Sequence, residues 1–230
     1  MLFGYFYDIS YLLIIAAAIF AFAMQASVKS TFRKYDRVPT MRNVPAHVIA
    51  RQILDSYGLY DVTVMRVAGE LTDRYDPRTN TVSLSDSTFF SSSVAAIGVA
   101  AHEVGHAVQY NKDYSPIKLR ALFIPVAQIG SQIWALIFII GLLAGIPMLQ
   151  SLGILLFFFV LLFQLITLPV EFDASRRAVN VMRDQFLLGA DELRGAKKVL
   201  SAAAMTYIAS FLVTLMHFIR LILLSGRRRR

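Results

Sequence analysis

The 230-residue chain is 57% hydrophobic, contains no cysteine and carries a formal net charge of +8. That apolar fraction exceeds the roughly 45–50% of ordinary soluble domains, and the lack of cysteine excludes disulfides and thiolate-ligated metal. The charge does not point to nucleic acid: residues 25–120 hold twelve Lys/Arg against nine Asp/Glu, and four positive charges are the terminal Arg227 to Arg230. Basic residues facing anionic lipid account for the balance better.

Residues 2–24 form the first of four apolar blocks, with Phe3, Tyr5, Phe6 and Tyr7 grouped near one end like an interfacial belt. Ala21-Phe22-Ala23 resembles a signal-peptidase site, but the segment before the apolar core carries Asp8 and no Lys or Arg, the wrong flank for a signal peptide. A retained anchor with its N-terminus outside is expected, because Lys29, Arg33, Lys34, Arg37 and Arg42 follow at once and should stay cytoplasmic.

Residues 25–120 read as a mixed α/β portion. Val48, Ile49, Ile53 and Leu54 have helical spacing across Ala46 to Tyr57, with a stop near Gly58. Asp61 to Val67 alternates and is β-branched, which predicts a strand. Leu71 to Tyr75 and Thr81 to Leu84 flank Asp76-Pro77-Arg78-Thr79-Asn80, which predicts a hairpin. The strand near Thr81 to Leu84 is a candidate to bind an extended peptide along its edge. Ser91 to Ser93 can cap a helix from about Val94 to Tyr110.

Two charge-free apolar blocks follow, from about Leu122 to Leu149 and from Leu152 to Val170. Each nears or exceeds the ~20 residues that cross a hydrocarbon core. They predict a transmembrane hairpin turning within Pro147 to Gly153. Glu171 to Lys198 reads as a charged, amphipathic helix or helix pair broken near Gly189, and Val199 to Met216 is apolar again. The expected division is therefore an anchor (1–24), a mixed α/β portion (25–120), a membrane hairpin (121–170), a helical region (171–198) and a C-terminal hydrophobic helix with basic tail (199–230). The fold class expected is a mostly α-helical integral membrane protein with a small α+β portion, a short hairpin or sheet beside the Val94–Tyr110 helix.

That helix carries His102-Glu103-Val104-Gly105-His106, an HExxH pentad. On a helix, His102 and His106 lie one turn apart on one face and can present two imidazole nitrogens to one Zn2+. Glu103 then stands beside the metal as the base that takes a proton from an activated water. Two histidines do not complete a catalytic zinc site, which needs a third protein ligand and an open position. Lys112 stands where a third histidine would follow in a metzincin. His47 and His217 are the remaining histidines, each read as a surface or interfacial residue. Glu171, just after the third apolar block, is the candidate third ligand. Two membrane crossings separate it from the pentad, which returns it to the same side of the bilayer. The plain alternative for Glu171 is a carboxylate capping a helix at a membrane boundary.

Three stretches carry a family resemblance: Leu71 to Arg78, Gly98 to Gln109, and Glu171-Phe172-Asp173-Ala174-Ser175. On these the chain resembles the bacterial membrane-bound neutral zinc metallopeptidases called YugP-like, more distantly the membrane gluzincins of the HtpX type. The resemblance implies metal ligands His102, His106 and Glu171 and the catalytic base Glu103. Ser175 stands where the distant relatives have an aspartate supporting a ligating histidine, and Asp173 is a possible substitute.

The function expected is zinc-dependent endopeptidase activity near the membrane surface, on the cytoplasmic side of a bacterial plasma membrane, against protein or peptide substrates that include membrane proteins. Tyr75, Tyr110, Tyr207 and Arg177 are candidate donors to a developing oxyanion. The alternative is a non-catalytic zinc-binding scaffold or interaction protein. Transport fits poorly, because the second and third apolar blocks contain no ionisable residue to mark an ion path.

Overall fold

The computed structural model describes residues 9–227, so Phe3, Tyr5, Phe6, Tyr7, Asp8 and the tail from Arg228 to Arg230 lie outside the described residues. The chain divides into two compact units. The protein is a mostly helical membrane protein with a small three-stranded sheet. Helices α1 (Ile9–Asp36), α5 (Ser115–Leu143), α6 (Pro147–Asp184) and α7 (Ala190–Arg227) are each long and apolar enough to cross a membrane.

One unit combines residues up to Gln25 with Lys118–Leu168 and Thr206–Arg230. Here α5 and α6 form a hairpin whose turn is Ala144 to Ile146, not the expected Pro147 to Gly153. Gly145 adopts φ +68, a left-handed conformation open to glycine at little cost. Pro147 opens the next helix, where its missing N–H is no loss. Gln150 is buried in this apolar hairpin and donates through Nε2 to the Gly141 carbonyl at 3.1 Å. A polar group in hydrocarbon needs such an internal partner. Phe138 and Phe157 of the hairpin cluster with Leu221 of α7, and the Trp134 ring lies 4.3 Å from that of Phe157.

The other unit contains Ala26–Ile117 and Pro169–Met205. Helix α2 (Ala46–Ser56) buries Ile49, Ile53 and Leu54, one stripe of its surface. Full burial of each such side chain stabilises by about 1.5–3 kcal/mol. Strands β1 (Thr63–Val67), β2 (Arg74–Asp76) and β3 (Thr81–Ser85) make a sheet of order β1-β3-β2. The β2–β3 hairpin is antiparallel with Asp76 opposite Thr81, whereas β1 pairs parallel to β3 with Thr63 opposite Thr81. The expected peptide-binding edge at Thr81 to Leu84 is therefore corrected: β3 is the central strand, bonded on both sides, with Val82 and Leu84 fully buried. The outer strands are β1 and β2.

The short helix α3 (Asp86–Phe89) leads to α4 (Val94–Asn111), whose first turn is capped by Ser93: its Oγ accepts from the Ala96 N–H at 3.1 Å. The same hydroxyl donates to Asp36 Oδ1 at 2.9 Å, fixing the start of α4 to the end of α1. Small residues let α4 run through the middle of the unit, and Ala96, Ala100, Ala101 and Ala107 are buried in the core shared with Leu84, Ala178 and Ala196. Pro169 lies inside α6, and the helix continues past it to Asp184. The break before α7 spans Gln185 to Gly189.

Candidate metal centre

His102 and His106 occur four residues apart on α4, so both rings leave the helix on one face; their centroids are 4.7 Å apart and nearly perpendicular. Glu171 reaches them from α6 and is 2% exposed. Its Oε2 lies 3.3 Å from His102 Nε2 and 3.6 Å from His106 Nε2. One ligand atom from each of the three residues falls within 4.8 Å of the others. Ligands about 2.0–2.1 Å from a tetrahedral Zn2+ stand roughly 3.3 Å apart, so the two imidazole–carboxylate separations suit that ion. The donor chemistry, two neutral nitrogens and one oxygen, suits it as well.

The remaining ring nitrogens are also engaged. His102 Nδ1 is 3.2 Å from Ser175 Oγ, and His106 Nδ1 is 3.0 Å from Gln109 Oε1. Gln109 is fully buried and donates through Nε2 to the Val170 carbonyl at 2.8 Å and to Asp173 Oδ2 at 2.9 Å. Asp173 in turn accepts from Arg177 Nε at 2.5 Å and from Arg176. Ser175 and Asp173 therefore divide the supporting work: Ser175 meets one histidine directly, and Asp173 reaches the other only through Gln109. Gln109 escaped the sequence reading. Its signal was the spacing alone, a polar residue three positions after His106 and so on the same face.

Backbone contact sets how closely the two helices approach. A Cβ built on Gly105 would stand 2.8 Å from the Ala174 carbonyl oxygen and 3.3 Å from its Cα. Backbone atoms cannot swing aside as a side-chain tip can. Gly105→Ala is expected to cost about 1–3 kcal/mol of stability by forcing α4 and α6 apart, and to weaken divalent-metal binding with it. Denaturation midpoints and metal titration measure both; wild-type values in each would show that the contact has slack.

Glu103 is buried on α4. Burial is the main cause that pushes its carboxyl up to about 7, with Glu171 and Asp73 raising it further and His102 and the Tyr75 backbone amide opposing. The Tyr75 amide places the start of the β2–β3 hairpin against Glu103. Asp73, the residue before β2, is held in turn by the Ser85 N–H at 2.8 Å and the Ser85 hydroxyl at 2.9 Å.

The candidate oxyanion donors are placed unequally. Tyr75 donates its hydroxyl to Asn80 Oδ1 at 2.9 Å, and burial raises its pKa to about 12. Tyr110 has its ring 6.2 Å from that of Tyr75. Arg177 is bonded to Asp173, with its guanidinium over the Tyr114 ring. Tyr207 and His217 belong to the other unit. His47 stacks on Phe89 at 4.3 Å and bonds through Nδ1 to the Phe89 carbonyl.

The family described as "Putative neutral zinc metallopeptidase" matches residues 10–226 of the chain. "Putative membrane protease YugP" of Bacillus subtilis (strain 168) is 45% identical over 217 residues, which cover 94% of this chain and 96% of that protein. No solved structure matches the chain.

Proposed function

The chain belongs to this neutral zinc metallopeptidase family, and on that premise we propose that it is a membrane-embedded zinc endopeptidase of the HExxH-plus-glutamate type. The observation that carries the reading is the convergence of His102 Nε2, His106 Nε2 and Glu171 Oε2 on one point. The cluster found among the described residues has three donors. Structural zinc sites use four protein ligands, whereas three leave a position open for water or substrate.

His102, His106 and Glu171 would hold the ion. Zinc bound there supplies a Lewis acid that acidifies water and polarises the scissile carbonyl. Glu103 accepts the proton of the attacking water and returns it to the leaving amine. Ser175 and Gln109 keep the two imidazoles turned toward Glu171. The Tyr75 amide borders the Glu103 carboxylate, so an extended peptide laid along the outer edge of β2 would take over that amide and pass beside Glu103.

Placement suggests the substrate class. Glu171 directly follows the apolar stretch of α6, so the site would stand near the bilayer surface and reach juxtamembrane loops or misfolded membrane proteins. Lys29, Arg33, Lys34, Arg37 and Arg42 support a cytoplasmic position for the unit, facing the inner leaflet of a plasma membrane. Metal analysis of the natively purified protein, paired with a casein-cleavage assay, tests the proposal. About one zinc per chain is expected, with activity lost on chelation and restored by Zn2+. Purified protein that carries no zinc and cleaves nothing after Zn2+ is added would overturn it.

A further inference from the structure

We propose that Gln109 is the positioning residue for His106, and that Asp173 acts on this ligand through the Gln109 amide. The inference rests on the zinc reading above and assigns the two histidines unequal support.

Gln109 has two N–H donors on Nε2 and one acceptor on Oε1. Its Nε2 is committed to the Val170 carbonyl and Asp173 Oδ2, both acceptors, which fixes the amide with Oε1 facing His106. His106 must then carry its proton on Nδ1 and donate it, leaving the Nε2 lone pair for the point it shares with Glu171. Gln109 is 0% exposed, so no water competes for these bonds.

His102 is supported differently. Its Nδ1 meets Ser175 Oγ, a neutral hydroxyl that can rotate and that both donates and accepts. This partner sets no tautomer and carries no charge. Behind Gln109, by contrast, stands the Asp173 carboxylate, itself held by Arg176 and Arg177. Val170 and Asp173 flank Glu171 on α6, so the one amide also ties the helix with two ligands to the helix with the third. Loss of Gln109 therefore removes a tautomer lock and an interhelical tie, whereas loss of Ser175 removes one replaceable bond.

The test uses the full-length protein in detergent, stripped of metal and titrated with Zn2+ alone against a competing fluorescent chelator. Gln109→Ala is expected to weaken zinc binding about 10–100-fold, and Ser175→Ala only about two- to three-fold. A second readout is 15N-histidine NMR of the metal-free protein, which has four histidines in all. The His106 Nδ1 proton, hydrogen-bonded to Gln109 Oε1 away from solvent, is expected to exchange slowly in wild type and rapidly in Gln109→Ala, a change that Ser175→Ala should not cause.

If Gln109→Ala loses its helical circular dichroism, Asp173→Asn replaces it. That change keeps the side-chain shape and removes the charge, and about a three-fold or greater loss of affinity is expected. Zinc affinity within two-fold of wild type, with exchange of the His106 Nδ1 proton unchanged, overturns the proposal; so does a Ser175→Ala loss as large as that of Gln109→Ala. Wild-type protein that binds no zinc defeats the underlying zinc reading. Tight wild-type binding unaffected by Gln109→Ala defeats the positioning role alone.

Discussion

Glu103→Gln is expected to keep zinc at wild-type stoichiometry while casein cleavage falls about 10²–10⁴-fold. The amide fills the same buried volume on α4 but cannot take a proton from water or carry one to the leaving nitrogen. It lies outside the cluster formed by His102, His106 and Glu171, so metal retention and catalysis should separate. The fold should be preserved or slightly improved, because a buried carboxyl whose ionisation burial opposes is exchanged for a neutral group. Zinc analysis, a melting curve and a cleavage assay on one preparation measure all three. Cleavage at the wild-type rate would end the assignment of Glu103 as the base.

Glu171→Ala should have the opposite signature, losing the metal and the activity together. Both imidazole Nε2 atoms are aimed at Glu171 Oε2, and without it two histidines remain to hold the ion. Zinc affinity should fall by more than about 100-fold, the upper end of what loss of a merely supporting group costs. The metal-free variant should also melt below metal-free wild type, since His102 and His106, which against burial hold the Glu171 carboxyl below its usual range, lose their buried partner and a cavity replaces the side chain. Zinc retained per chain after dialysis reads the first effect, with Glu70→Ala, a change on an exposed loop, as the control. Wild-type zinc content in Glu171→Ala would place the third ligand elsewhere.

The sequence was most legible where local chemistry dictates local structure. Ser93 ahead of an apolar periodic run marks a helix start, and the Ser93 hydroxyl does cap α4. Asp76 to Asn80 between two alternating runs marks a turn, and β2 and β3 pair across it. Boundaries drawn from composition were less legible. The change from apolar to charged at Glu171 suggested a new segment, yet α6 runs unbroken through it, because helical hydrogen bonding depends little on which side chains face lipid and which face protein. Pro147 was read as part of a turn, but its fixed φ suits the first position of a helix.

Pairing across distance was the least legible. Nothing in Thr81 to Ser85 reveals that β1 will add in parallel to its far side, since the partner is chosen by tertiary packing. Gln109 was missed for the same reason. Its role depends on Val170 and Asp173, more than sixty residues away in sequence, and its place three residues after His106 marks only the helix face they share. Ser175 was read as standing where the distant relatives have an aspartate, with Asp173 a possible substitute. In the structure Ser175 meets His102, and Gln109 meets His106.

The backbone contact at Gly105 bears on how the protein meets its ion. Where main chain rests on main chain, the gap between α4 and α6 is fixed by bond lengths and not by rotamers, and Ser175 and Gln109 already steer the rings that face it. On the zinc reading, contacts within the protein set the spacing of the three donors alongside the cation. Small zinc-nucleated domains collapse into disorder when demetallated; this chain should instead idle as a folded, dormant apoprotein that a returning ion switches on without refolding.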